Sequence, residues 1–454
     1  MQNGNITIID QRSRFFTKPV LPGLRLLLLG LIALLLGALA VVITLRALLP
    51  AQANTRTPRQ LFSETGKTVS GEFLAYWRAH DATVELGPPL SNEFNERGPA
   101  DGRIRRVQYF GKAKLTLYPD KPAPNNVALS HIDRAGYQEL VADETWPLYQ
   151  PPDDWKLQVR DLVSEWKRNG GVYTPATAIY NSFGAYLDSA GNGWEPAPAI
   201  KFDADGLPMV KYGEAYYYNP TTIAQYSLSM YGKVLSGEDT EAQLLKAGEK
   251  LLALQDEDGA FRYHFSWTYY VTGQTFEPGW VSGIAQGQAL SAFARLYHLT
   301  GDKRYLDAGD KALRFLLKPV AQGGLTDTLE DLHPSLARYV FFQEYVANPA
   351  SYTFNGYIII LLGLYDWSNT PSGDDRVARD SFDKGLDSLR HILPYYDIGG
   401  ISSYDMAHVT YNRVPSADVN YHVLVLNLLS TLESIQHDEA LEGYRTSWET
   451  FLKP

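Results

Sequence analysis

Beyond Pro220 the chain is a succession of apolar segments of about 15 residues, each stopped by a short Gly, Asp or Pro turn. Eight helices are expected, over 221–235, 240–255, 282–300, 303–317, 351–367, 374–393, 419–434 and 438–452. Turns such as Thr300-Gly301-Asp302 are too short for anything but antiparallel neighbours. The pattern predicts a mainly α fold: an (α/α) toroid of about four helical hairpins, inner ring against outer ring. Two connections, 323–350 and 397–416, are long and rich in Tyr, His, Glu and Arg. Long loops of that composition in a compact domain carry function.

The rest of the chain divides by composition. Residues 1–25 hold Arg12, Arg14, Lys18 and Arg25, and 26–45 is an apolar run without a charge. Twenty helical residues span about 30 Å, which predicts a transmembrane anchor with a cytoplasmic N-terminus and the remaining chain extracytoplasmic. A cleaved signal peptide ending near Ala51–Ala53 is the competing reading. A linker occupies 46–61, a small α+β module 62–147 and a β-rich entry segment 148–220, ahead of the helical region 221–454. In the module, a helix over 69–80 and strands near 105–110 and 113–118, joined at Gly111, are expected.

A net charge of −10 argues against nucleic acid as a partner, since no basic face compensates for it. The chain has no cysteine, so thiolate chemistry and Cys-ligated metals are excluded. No nucleotide fingerprint, P-loop, HExxH or GxSxG motif occurs. No metal site and no cofactor are expected. The 30 tyrosines and 9 tryptophans suit stacking on sugar rings, although most such side chains belong to cores.

Five segments in order carry a resemblance: VYTPATAIYNSFGAYLD (172–188), FDADGLPMVKYGEAYYYNPTTIAQYSLSMY (202–231), EPGWVSGIAQGQALS (277–291), QEYVANPASYTFNGYIIILLGLYD (343–366), and the stretch 401–432, with Tyr404-Asp405 and Tyr421-His422. Together they resemble the D-glucuronyl C5-epimerases. The small module resembles one related to LGFP-type repeats of extracellular bacterial proteins, on its ETG, FLAYWR, GPPLSNEF and VQYF runs. The epimerase resemblance implies exchange of the C5 proton of a uronate within a polysaccharide, D-glucuronate to L-iduronate in a heparosan-like chain, with a homodimer left open. It places Tyr345, Tyr404 and Tyr421 in the cleft, with Glu344 beside the first. Glu344 or Tyr345 is expected on one ring face and Tyr421 on the other, with Tyr404 at the substrate carboxylate. Trp280, Gln286, Asn355, Asp405, His408, Arg413 and His422 are the candidate substrate contacts, a structural role being equally open for Gln286, Asn355, His408 and His422. The motif departs from the family at Ala407, where an arginine is usual; Arg413 is the candidate replacement.

The chemistry explains the residue types. The C5 proton lies beside a carboxylate, so its removal builds a second negative charge that cations or hydrogen bonds must stabilise. One proton carrier is needed on each ring face. A tyrosine is a weak base unless a cation lowers its pKa, and a good acid towards a carbanion. A polysaccharide lyase shares the first step. A toroid glycosidase would need two carboxylates, for which Glu344 and Asp405 are candidates. A non-catalytic glycan-binding protein is the alternative outside enzymes.

Overall fold

The computed structural model describes residues 58–80, 85–97, 103–131, 138, 151, 153–176, 178–187, 194–270, 273–411 and 413–453. The N-terminal module begins with a hairpin of β1 (Arg59–Phe62) and β2 (Lys67–Ser70), then helix α1 (Gly71–Ala79). Strands β3 (Phe94–Arg97), β4 (Ile104–Tyr109), β5 (Ala113–Leu117) and β6 (Val127–His131) form an antiparallel meander. Phe73 and Leu74 of α1 enter a small core with Val69, Phe110 and Leu115. The expected strands at 105–110 and 113–118 agree with β4 and β5 within one residue.

The segment expected to be β-rich opens instead with helix α2 (Asp153–Arg168). Val159 and Val163, four apart on one face, are buried, and that spacing is helical. Strand structure is confined to β7 (Ile200–Phe202), β8 (Pro208–Tyr212) and β9 (Ala215–Tyr217), an antiparallel sheet.

The eight expected helices are present, with ends within three residues of the predicted ones. They are α3 (Pro220–Leu235), α4 (Glu241–Leu254), α5 (Gly283–Thr300), α6 (Lys303–Leu316), α7 (Phe354–Ser368), α8 (Asp375–Tyr396), α10 (Val419–Ile435) and α11 (Glu439–Leu452), with a single turn, α9 (Ala407–Thr410), between the last two pairs. Local chemistry sets the boundaries. Pro220 opens α3 behind the Asn219 cap, Gly301 ends α5 with φ 69°, and Asp302 caps α6 by accepting from Arg304 N. Helices α5 and α7 are buried along most of their length, whereas α6 and α8 keep a polar face to solvent. Where α5 and α7 cross, a Cβ on Gly363 would lie 2.2 Å from Gly287 O, so only glycine permits this approach.

Two expectations are corrected. The expected toroid is not confirmed: α3, α5, α7 and α10 pack in succession as a row, each against its hairpin partner, and the principal helix contacts do not join α10 to α3. Between the ends of the row runs the non-helical stretch 172–187. It is fastened by Ala176 N to Asn427, Tyr180 N to Ser434 Oγ, and Phe183 O and Gly184 O to Tyr231 and Arg295. Side chains of α10, α3 and α5 thus take up hydrogen bonds of a segment that pairs with no helix. The transmembrane helix and the membrane-anchored localisation are also corrected: no helix among the described residues is long and apolar enough to cross a membrane. The most apolar, α7, has 15 residues, and the longest, α8, has 22 and carries charges such as Arg376, Asp380 and Lys384. A bilayer core needs about 20 apolar residues in succession. The run 26–45 that prompted the expectation lies outside the described residues.

Candidate active site

Four pieces of chain meet at one end of the helix row. The first loop runs from α6 to α7. It pairs β14 (Thr326–Thr328) with β15 (Val340–Phe342) and delivers Glu344 and Tyr345 directly after β15. Glu344 O accepts from Gly283 N at 3.1 Å, fixing that end of the loop to the start of α5. The second loop, between α8 and α10, brings Tyr404 and Asp405. Asp418 caps α10 and accepts from Asn420 N and Tyr421 N, which sets Tyr421 in the first helical turn. A hairpin of β11 (Trp267–Tyr269) and β12 (Gln274–Phe276) forms the fourth wall, beside the short β10 (Arg262–Tyr263) and β13 (Trp280–Val281) pair.

The walls are aromatic. Tyr269, Phe276, Tyr404 and Ala407 form a buried cluster against which Trp267, Trp280, Tyr345, Tyr411 and Tyr421 pack. Tyr345 lies 4.6 Å from the Tyr269 ring and 4.9 Å from Trp267, and Tyr404 meets Tyr421 at 5.0 Å. Trp280 stacks on Tyr263 at 3.9 Å and donates its Nε1 to Phe265 O, so it is part of the wall.

Two carboxyls sit among these rings. Burial pushes Glu344 up to about 7, with the nearby Asp405 adding to the shift and the neighbouring Tyr345 hydroxyl opposing it. Its Oε2 has no hydrogen-bond partner and lies against Gly356 in the first turn of α7, where a Cβ would come within 1.9 Å. Asp405 is also pushed up to about 7, first by burial. It accepts from Ala407 N at 3.0 Å and from Tyr269 at 3.3 Å, and Arg413 counters the shift. Burial and the neighbouring Glu344 hold Tyr345 and Tyr404 well above the ordinary phenol range. These tyrosines are protonated at neutral pH and serve as donors. Asn355 is nearly buried, and its Oδ1 has no partner. Glu344 Oε2 and Asn355 Oδ1 are thus two buried acceptors whose hydrogen-bonding capacity is unused.

Arg413 donates its backbone N to Ala407 O at 3.3 Å, so the chain folds back onto the Ala407 position. Its side chain is exposed, close enough to lower Asp405, and 4.0 Å from where a Cβ on Gly273 would stand. Three other sequence candidates commit side-chain atoms to the main chain around the cluster. Gln286 spends its side chain on Phe261 N, Gly259 O and Ala312 O. His422 accepts from Ser402 and is held neutral by burial, its pKa lowered to about 3. His408 reaches Tyr395 O, and burial lowers it to about 4. All three brace loops and helix ends.

Sequence reasoning missed the hairpin. Trp267, Tyr269 and Phe276 line the pocket, and Tyr270 is near enough to Tyr421, Asp405 and Glu344 for their charges to raise it. The signal was present as WTYY alternating into QTF just ahead of the EPGW motif. Among the described residues no cluster of His, Asp or Glu fits a metal ion.

Residues 255–450 match the family described as D-glucuronyl C5-epimerase C-terminus. A D-glucuronyl C5-epimerase of Caenorhabditis elegans is 30% identical over 182 residues, 38% of this chain and 28% of that protein. An uncharacterized protein of Methanocaldococcus jannaschii is 31% identical over 166 residues, 36% of this chain and 51% of that one. The match thus spans about half or less of these curated relatives. A family 76 glycoside hydrolase from a bovine Bacteroides thetaiotaomicron strain aligns at 12% identity over 76% of this chain and 92% of its own, with a TM-score of 0.36, too low to carry an argument.

Proposed function

We propose that this protein is an isomerase that inverts C5 of uronate residues within a polysaccharide, D-glucuronate to L-iduronate in a heparosan-like chain, a reading supported by the match of residues 255–450 to the D-glucuronyl C5-epimerase C-terminus family. The observation that carries the reading is Glu344: a buried carboxyl, pushed up to about 7, with one oxygen unpartnered among tyrosine donors. A base of that pKa is matched to work near neutral pH.

Glu344 takes the C5 proton. Tyr345, whose own pKa is too high for a free base, adjoins Glu344 closely enough for each to shift the other's pKa, and acts with it as one unit. The electron pair left at C5 spreads into the substrate carboxylate. Arg413 and the Tyr404 hydroxyl stabilise the second charge there. Tyr421 returns a proton to the opposite face, and protonated Glu344 and the tyrosinate are reset from solvent. In the reverse direction the two carriers exchange roles. At carbon only C5–H breaks and re-forms, and the Tyr421 O–H broken in reprotonation is restored from solvent, so no electron acceptor enters the balance.

The test is incubation of the protein with uronate polymers in heavy water. Deuterium at C5, with both epimers in the product, is the expected result. Absence of exchange on every uronate polymer overturns the reading. Exchange accompanied by an ultraviolet-absorbing unsaturated product identifies elimination instead.

A further inference from the structure

The N-terminal module touches both loops of the site. Asn92 donates to Asp331 Oδ1 at 3.1 Å and accepts Thr68 N of β2 at 2.9 Å. Lys67 reaches Glu330 at 2.5 Å, Asn348 reaches Thr68 at 3.4 Å, and Phe94 meets His333 edge to face at 5.3 Å. All of these grip the first loop. Three residues beyond Asn92, Asn95 donates to Val409 O at 2.5 Å, and Val409 lies in α9 of the second loop, four residues after Asp405.

The grip leads into the site. Asp331 Oδ2 accepts from Ala350 N at 2.7 Å, which places the stretch before α7. That stretch is the seam between the loops: Met406 N donates to Ser351 O at 2.8 Å, and Phe354 N to Tyr404 O at 2.9 Å. Two asparagines on one short stretch therefore hold the Glu344 loop and the Tyr404 loop to a common support. A domain that only separated the site from another part of the chain would need no contact of this kind.

We propose that the N-terminal module is a clip built into the catalytic site, with Asn92 and Asn95 as positioning residues that set the register of the two loops. The catalytic consequence rests on the epimerase reading; the mechanical one does not.

The test uses the full chain with Asn92→Ala, Asn95→Ala and Asn92→Asp. The last keeps the acceptor for Thr68 N, so the module keeps its own hydrogen bond while its donor to Asp331 is lost. Amide hydrogen exchange is expected to rise about 10-fold at Ala350 and Met406 and to stay unchanged in α3 to α6. The kcat for C5 deuterium incorporation is expected to fall about 10- to 100-fold, with KM within about twofold. Unchanged exchange at both amides in all three variants overturns the clip. If the wild-type chain incorporates no deuterium, the epimerase reading fails, and the amide exchange alone upholds or overturns the clip.

Discussion

Tyr404 and Tyr421 meet edge to face, ring centroids 5.0 Å apart at 66°, one from a loop and the other from the first turn of α10. The contact lets a mobile type of element and a rigid one present two hydroxyls to the same space. In the proposed mechanism their roles separate by support: the helix turn would hold the proton carrier, and the loop the group that answers to the substrate carboxylate.

Tyr421→Phe removes the donor and keeps the ring. Deuterium incorporation at C5 should fall about 10²- to 10⁴-fold in kcat, with KM little changed. Tyr404→Phe should fall less and raise KM. Steady-state kinetics with a glucuronate polymer would check both, and equal losses in the two variants would refute the division of labour.

Glu344, pushed up to about 7, must be ionised to accept a proton. The kcat/KM is therefore low in acid, rises as pH passes through about 7, and levels above it. Glu344→Gln should abolish that limb together with about 10²- to 10⁴-fold of the rate. A pH–rate profile flat from 5 to 8, at about that pH span, would remove Glu344 from the base role.

Arg413→Ala should cost about 10²- to 10³-fold in kcat, as loss of a transition-state charge partner does. Ala407→Arg in that background, which returns a cation beside the Arg413 backbone, should recover part of the loss. Full activity in Arg413→Ala would show that the charge is neutralised elsewhere.

Stability should fall with rising pH. Glu344, Asp405 and Asp331 are each raised to about 7 in the fold, first by burial, against the ordinary carboxylate range when unfolded. The folded state binds more protons between about pH 4 and 7, so stability present below that window is lost across it. Thermal midpoints measured from pH 4.5 to 8, a span of about that window, should decline and then level. Asp331→Asn should flatten the decline.

Gly356→Ala places a methyl 1.9 Å from the position of Glu344 Oε2. The carboxyl must move, so activity should fall, and overpacking should cost about 1–3 kcal/mol in denaturant unfolding. Wild-type rate and stability together would contradict the tight fit.

Helix spacing and turn chemistry made the eight helices legible, because Pro220, Gly301 and the Asp caps act locally. Tyr345, Tyr404, Asp405 and Tyr421 came from the order of motifs and do share one cluster with Glu344. Gln286, His408 and His422 look the same in sequence, but each commits at least one side-chain atom to a backbone carbonyl or amide, and only tertiary structure reveals that. How the row ends was hidden because it depends on how the non-helical stretch 172–187 docks, which no local period encodes. The module's grip was equally invisible: Asn92 and Asp331 stand 239 positions apart.

The glycine crossing of α5 and α7 has a mechanical consequence for the pocket. Gly283, in the opening turn of α5, carries the anchor of Glu344, and Asn355, Gly356 and Glu344 meet at the opening turn of α7. Because main chain touches main chain at Gly287 and Gly363, the gauge between those two turns is fixed by backbone dimensions. Drift in the outer helices can then be absorbed there, while the setting of Glu344 between those two turns stays calibrated.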